Sequence, residues 1–232
     1  MASIICLKDS CKQRLYALFI LFFIYSIPAL SQKNTPVLQY EVSILQPATH
    51  TYNVTLRCSN WKPDTIHLKM PAWMPGYYQL MDYAKSVENI LAIDEKGKNI
   101  SIEKISDNGW KISGVKGKAF FVKYTIRTKT QFVANSYVDS AHAYLIPENT
   151  FLYIEGQLNT PVSVHISFSK DWNKIATGLD PVVGKSNEFT APDFDILYDC
   201  PILAGNLEEL PSFEVKGIEH RFIGYKPGNF DH

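Results

Sequence analysis

Tyr52-Asn53-Val54-Thr55-Leu56-Arg57-Cys58 is the stretch that decides the fold. Apolar side chains stand at every second position, and polar side chains stand between them. Successive side chains of a β strand point to opposite faces of a sheet, so this spacing predicts a strand with one face in a core. Cys58 lies on the apolar face and is interpreted as a small buried hydrophobe.

The same period of two recurs along most of the chain, at 40–44, 66–70, 120–127 and 162–169. Turn-forming residues separate these runs, at 94–97, 107–109, 114–117 and 180–181. Many short strands between turns predict an all-β fold, an antiparallel β sandwich. Two segments stay open: 83–92 fits a helical turn or another strand, and 191–198 fits a short helix with Pro192 in its first position.

Residues 1–31 have the pattern of a secretory signal peptide. Basic residues precede an apolar run over 15–27, and Ala29-Leu30-Ser31 supplies the small side chains of a cleavage site. A membrane span needs about eighteen apolar residues, and Pro28 interrupts this run. We therefore expect a secreted or periplasmic protein without a membrane association after signal removal; a retained anchor is the alternative.

The remaining chain is predicted to form two parts. Residues 32–200 form the β sandwich, and residues 201–232 form a junction with a loose segment over 202–211 and two short strands, around 213–215 and 220–225. Because no closing element follows the last strand, we expect the chain to be part of a longer protein, and 213–225 to be less stable than the sandwich. The formal net charge is zero, which does not favour nucleic acid as a partner.

No pattern in the sequence indicates a catalytic or metal site. The six histidines show no metal-binding spacing, and Cys58 and Cys200 lack zinc spacing. Neighbouring carboxylates, such as Asp193 and Asp195, are more typical of turns, and Asp193 is better explained as an acid at a helix start. In an exported protein Cys58 and Cys200 allow one disulfide, the alternative being two free thiols.

The segment from Met70 to Tyr78 carries the most specific local pattern. Its prolines fix φ and its glycine permits φ > 0, so the loop is expected to be rigid. Its aromatic side chains either pack the loop onto the sandwich or form a surface for a ligand. The candidates for such a surface are Trp73, Pro75, Gly76, Tyr77 and Tyr78.

Pro71-x-Trp73-x-Pro75-Gly76-x-Tyr78, followed by Asp82-Tyr83-Ala84, resembles the amino-terminal domain of the glycyl aminopeptidase family of zinc metallopeptidases. Further blocks of the resemblance follow in the same order along the chain: 92–97, 104–110, 172–179, 189–205 and 213–220. Met81 stands where the family pattern has an arginine, which leaves the role of that arginine in doubt here.

The resemblance implies a non-catalytic amino-terminal β domain. Family members carry His-Glu-x-x-His on a separate catalytic domain, so zinc is expected only there and no cofactor is expected in this chain. The implied partners are the catalytic domain of the same enzyme and a peptide substrate, and the loop from Trp73 to Tyr78 would restrict access to a free peptide amino terminus. The alternatives are a free-standing β-sandwich module that binds carbohydrate or protein through exposed aromatics, and a degenerate gene product.

Overall fold

The computed structural model describes residues 36–77, 79–128 and 130–228. The predicted signal peptide and Tyr78 lie outside the described residues. Strands are the main regular structure of the described part and helices are few and short, which confirms the predicted all-β class. No helix in it is long and apolar enough to cross a membrane.

The regular structure of the described ranges consists of short strands, three 3-10 helices and one short α helix. The strands in chain order are β1 Val37–Ile44, β2 Thr51–Ser59, β3 Thr65–Lys69, β4 Val87–Asp94, β5 Asn99–Ile100, β6 Ile102–Ser106, β7 Gly109–Ser113, β8 Phe120–Arg127, β9 Tyr137–Val138, β10 His142–Leu145, β11 Tyr153–Ile154, β12 Val162–Phe168, β13 Lys174–Thr177, β14 Asp180–Pro181, β15 Glu188–Ala191, β16 Ile202–Gly205, β17 Glu208–Glu209, β18 Phe213–Val215, β19 Ile218–His220 and β20 Ile223–Gly224. The 3-10 helices are Pro47–Thr49, Tyr83–Ser86 and Pro147–Asn149, and the α helix, α1, is Phe194–Tyr198.

An eight-stranded sheet is the largest layer, with the order β14-β15-β12-β1-β2-β8-β4-β5. Its neighbours run antiparallel except β1 and β12, which run parallel from Leu38 opposite Val162 to Ile44 opposite Phe168. The sequence did not predict this parallel pair. Two four-stranded sheets, β13-β16-β10-β9 and β11-β3-β7-β6, accompany the large sheet.

One apolar core holds the three sheets together. The alternating residues of β2, among them Val54 and Leu56, are buried as their spacing predicted. They belong to one cluster with Leu68 and Ile112 from the sheet β11-β3-β7-β6 and Leu145 from the sheet β13-β16-β10-β9. Each buried aliphatic side chain of this kind contributes about 1.5–3 kcal/mol to folding. The layered arrangement agrees with the predicted sandwich.

The structure settles the two open segments. Both alternatives for 83–92 occur, as the 3-10 helix Tyr83–Ser86 and the strand β4. The helix near 194 begins later than predicted, because Asp193 is its N-cap and accepts a hydrogen bond of 2.9 Å from the N–H of Ile196. Pro192 therefore precedes the cap, and its placement at the first helical position was wrong. The role of Asp193 as a helix-start acid is confirmed.

The last strands form two small two-stranded sheets, of which β18 and β19 are a hairpin. β17 pairs with β20 and β18 pairs with β19, each apart from the larger sheets. The predicted loose segment begins later than expected, since β16 is an inner strand between β13 and β10. The boundary at residue 200 and the lower stability of 213–225 stay predictions.

Candidate functional site, an acidic cleft beside Trp73

Strand pairing places the Trp73 loop beside a distant part of the chain. β3 ends at Lys69, and β11 pairs with it through Tyr153 opposite Lys69. Asn108 fixes the main chain where the loop starts, because its side-chain amide donates to the carbonyl of Met70 and its own carbonyl accepts from the N–H of Met70, each at 2.9 Å. The loop closes on itself where the N–H of Met81 donates to the carbonyl of Ala72 at 2.7 Å. The loop is thus held at both ends.

A cleft of about 550 Å³ lies along this loop. Four segments contribute to its lining: the loop after β3, the 3-10 helix at 147–149, the segment that begins with β11, and α1 with the residue after it. The lining residues are Pro71, Ala72, Trp73, Pro75, Glu148, Tyr153, Leu158, Asp195, Tyr198 and Asp199.

The predicted loop residues divide between the cleft and its surroundings. Trp73 and Pro75 line the cleft, and 46% of Trp73 is exposed. Gly76 has φ +85°, which confirms the predicted need for glycine, and it does not line the cleft. Tyr77 lies outside the lining and packs edge-on against Phe132, with ring centroids 5.2 Å apart. Tyr78 lies outside the described residues.

Glu148 is the most unusual group in the lining. Only 3% of the residue is exposed. Its carboxylate accepts a hydrogen bond from its own backbone N–H, and no other described residue donates to it. Burial raises the pKa of the carboxyl, the charge of Asp199 adds to the rise, and the bond from its own N–H opposes it. A buried charge without a partner is costly in a folded protein.

Helix α1 brings two further carboxylates to the cleft. Asp195 and Asp199 are exposed on the surface of the lining. The helix is anchored where the N–H of Phe194 donates to the carbonyl of Leu158 at 2.9 Å. It is anchored again where the hydroxyl of Tyr198 donates to the carbonyl of Phe151 at 3.3 Å. The described lining therefore combines three acidic groups with three aromatic rings and contains no basic side chain.

No metal centre accompanies these carboxylates in the described ranges, because no group of three or more His, Cys, Asp or Glu is arranged to hold an ion. Cys58 and Cys200 are free thiols, so the predicted disulfide alternative is not part of this structure. Burial raises the pKa of Cys58 to about 12, and burial followed by the charge of Asp199 raises that of Cys200. Neither thiol is activated as a nucleophile.

Sequence reasoning missed the acidic half of the cleft. Glu148 follows a run of apolar residues and precedes another, and a lone carboxyl between such runs was the one available signal. Asp195 was considered only as a neighbour of Asp193. Glu148 and Asp195 are more than seventy positions from Trp73 in the sequence. The pairing of β3 with β11 and the docking of α1 bring them together.

The sequence matches the model of the peptidase M61 N-terminal domain over residues 39–206. The fold is similar to a crystal structure of an aminopeptidase N family protein from Idiomarina loihiensis, with a TM-score of 0.74 and 26% identity over 81% of this chain and 32% of that protein. An M1 zinc metallopeptidase from Deinococcus radiodurans is 11% identical, with a TM-score of 0.44 over 81% of this chain and 47% of that one. This chain therefore spans about a third of the Idiomarina protein, and no curated protein matches it.

Proposed function

We propose a function from one premise: this chain belongs to the family of peptidase M61 N-terminal domains. The resemblance found in the sequence is thereby confirmed, and the chain is a non-catalytic N-terminal domain of that kind. Its function is then to pack on the catalytic domain of a longer metallopeptidase and to form part of the wall of the substrate cleft. The zinc ion and the residues that cleave peptides belong to the catalytic domain.

The exposed Trp73 on a closed loop is the observation that supports this function best. The indole ring is half exposed although the loop is held at both ends. A large aromatic ring that is both exposed and fixed offers apolar surface to a neighbouring domain or a ligand. The loop is thereby suited to restrict which peptides reach an adjacent active site, and free amino termini are the class that we propose it admits.

We further propose that the protein is exported. The pattern of residues 1–31 supports a signal peptide, so the protein would act in the periplasm or outside the cell.

The wall function can be tested in an active full-length family member that carries the Trp-x-Pro-Gly motif. The tryptophan equivalent to Trp73 and the tyrosine equivalent to Tyr78 are both changed to alanine, and kcat/KM is measured for a peptide with a free amino terminus and for its acetylated form. We expect the preference for the free form to fall at least tenfold. An unchanged preference in a folded variant would show that the loop is not a wall.

A matched control uses the same loop. Leu80 is 85% exposed and does not line the cleft, so its alanine variant should leave the preference within twofold. An equal loss in both variants would point to general loosening of the loop rather than to contact with substrate.

A free-standing binding module is the second candidate, because the exposure of Trp73 is also expected for a ring that stacks on a sugar or a protein. Titration of the isolated chain with oligosaccharides, followed by tryptophan fluorescence, distinguishes the two. Saturable quenching that is lost in Trp73→Ala would favour the module, and no response favours the peptidase domain.

A further inference from the structure

Asn108-Gly109 is the one place in the sequence where a glycine follows an asparagine. The backbone nitrogen of the next residue can attack an asparagine amide carbon, and glycine obstructs that attack least because it has no side chain. Asparagine is for this reason among the chemically labile residues of proteins. The pair lies at the tight turn between β6 and β7, where Asn108 is half-buried. It therefore combines a reactive sequence with access to water.

The hydroxyl of Ser106 is placed to assist the attack. It donates to the side-chain carbonyl oxygen of Asn108 at 3.4 Å. That oxygen gains negative charge as the Gly109 nitrogen adds to the amide carbon, and a donor directed at developing charge lowers the barrier. A Cβ at position 109 would lie 2.6 Å from the same hydroxyl oxygen, so a side chain fits there only if Ser106 moves. The turn thus holds the reactive pair beside a group that favours its reaction.

The amide of Asn108 is also one of the anchors of the Trp73 loop. Its nitrogen donates to the carbonyl of Met70 at 2.9 Å, and the main-chain carbonyl of Asn108 accepts from the N–H of the same residue. A carboxylate in place of the amide has no hydrogen to donate. The Met70 carbonyl would then lose this bond and face a negative charge. Because Met70 is fully buried, water does not readily replace the donor.

We propose that Asn108 is a site of spontaneous deamidation assisted by Ser106, and that loss of its amide releases the Trp73 loop. The nitrogen of Gly109 gives up its proton and bonds to the amide carbon of Asn108, the bond from that carbon to Nδ2 breaks, and the nitrogen leaves as ammonia. Water then opens the cyclic imide to aspartate or isoaspartate, so the net reaction consumes water and yields ammonia. Isoaspartate adds a carbon to the main chain, which also displaces the carbonyl that holds the Met70 N–H.

Ageing of the purified chain tests the modification. The chain is incubated at mildly alkaline pH, where the attacking nitrogen loses its proton more readily. Peptide mapping by mass spectrometry measures the amide that remains at each asparagine. We expect Asn108 to lose its amide at least tenfold faster than Asn99, an exposed asparagine on β5 that precedes a branched isoleucine. Equal rates at the two positions would overturn the proposal.

Two serine variants test the assistance by the hydroxyl group. Ser106→Ala should slow the loss of amide at Asn108 at least threefold. Ser101→Ala is the control, because Ser101 is an exposed serine just before β6, and this variant should change the rate by less than twofold. An unchanged rate in a folded Ser106→Ala variant would overturn the role of Ser106.

Amide exchange at Met81 measures release of the loop, because its N–H donates to the carbonyl of Ala72 and closes the loop. Ion exchange separates the aged, deamidated fraction from the fresh chain by its added negative charge. We expect exchange at Met81 to be at least fivefold faster in that fraction. Asn108→Asp should reproduce the effect, and Asn99→Asp, which adds the same charge on β5, should not.

Unchanged exchange at Met81 in the aged fraction would overturn the release of the loop, whether or not Asn108→Asp folds. None of these measurements uses peptidase activity, so their result is independent of the proposed wall function.

Discussion

The eight-stranded sheet and the hairpin of β18 and β19 are built from similar sequence patterns and differ in what covers them. In the large sheet, alternate residues of β2 and β8 are buried in the common core. In the hairpin, all six strand residues are exposed, and the rings of Phe213 and His220 stack on each other with centroids 5.3 Å apart. Alternation therefore predicts a strand, but burial requires a second layer that only the large sheet possesses.

The two regions also differ in what stabilises them. The large sheet is stable through its own core, whereas two-stranded hairpins are marginal in water without a partner. Exposed Val215 and Ile218 leave apolar surface for a neighbour. This is consistent with the proposal that the chain packs on a further domain.

Truncation of an isoleucine to alanine should destabilise the large sheet much more than the hairpin. Ile126 in β8 is fully buried and Ile218 in β19 is 65% exposed. We expect Ile126→Ala to lower the free energy of unfolding by about 3–4 kcal/mol, through lost burial and a new cavity. Ile218→Ala should lower it by less than about 0.5 kcal/mol. Urea unfolding measures both, and similar values would contradict the account.

Loss of a buried tyrosine hydroxyl should destabilise the fold more than loss of an exposed one. The Tyr124 hydroxyl donates to the carbonyl of Thr150 at 2.8 Å and accepts from the N–H of Leu152 at 3.2 Å. Tyr124→Phe leaves both main-chain groups without this partner, which should cost about 2 kcal/mol. Tyr77→Phe is the control, because among the described residues the Tyr77 hydroxyl makes one bond, a long and exposed one to Gln79. Thermal unfolding of both variants measures the effect. An unchanged stability of Tyr124→Phe would mean that water replaces the hydroxyl.

Unlike the substitutions above, neutralisation of the buried Glu148 carboxylate should stabilise the fold. Its pKa is higher in the folded than in the unfolded chain, so the ionised form is disfavoured by folding. Stability should therefore fall as pH rises from the ordinary carboxyl range through the raised pKa. Glu148→Gln should raise the free energy of unfolding by about 1 kcal/mol at pH 8 and by nearly nothing at pH 4. Chemical unfolding at the two pH values measures this, and an equal effect at both would contradict it.

The smallest expected effect concerns the connection of the two small sheets to the rest of the fold. Glu209 in β17 pairs with Lys174 of β13 at 2.7 Å and with Arg221 at 2.6 Å. Hydrogen bonds from these two groups lower its pKa, so this contribution is present at neutral pH and is lost as pH falls through that lowered pKa. Glu209→Gln should leave global unfolding unchanged and speed amide exchange in β17 and β20 several-fold at neutral pH. Faster exchange across the large sheet would be the contrary result.

The strands were predictable from sequence because each has one buried face, and a period of two records that burial directly. The turn at Asp94 was also predictable, since its carboxylate accepts from the N–H groups of Lys96 and Lys98 and Gly97 adopts φ +79°. The parallel pairing of β1 with β12 was not, because alternation carries no information on which strands are neighbours.

The residues that line the cleft were also only partly predictable from the sequence. Trp73 and Pro75 were identified from their local pattern, and that pattern describes one side of the cleft. Glu148 and Asp195 come from segments that carry no motif of their own, and their position follows from strand pairing and helix docking. Local chemistry was therefore predictable, and its assembly across the chain was not.

An assay of peptide hydrolysis by the purified chain tests the claim that this domain is non-catalytic. The chain is assayed against peptides with free amino termini, with zinc supplied and then with a chelator added. The account predicts no hydrolysis above the buffer in either condition, because it proposes that the catalytic groups belong to another domain. Hydrolysis by the pure chain that the chelator abolishes would contradict it.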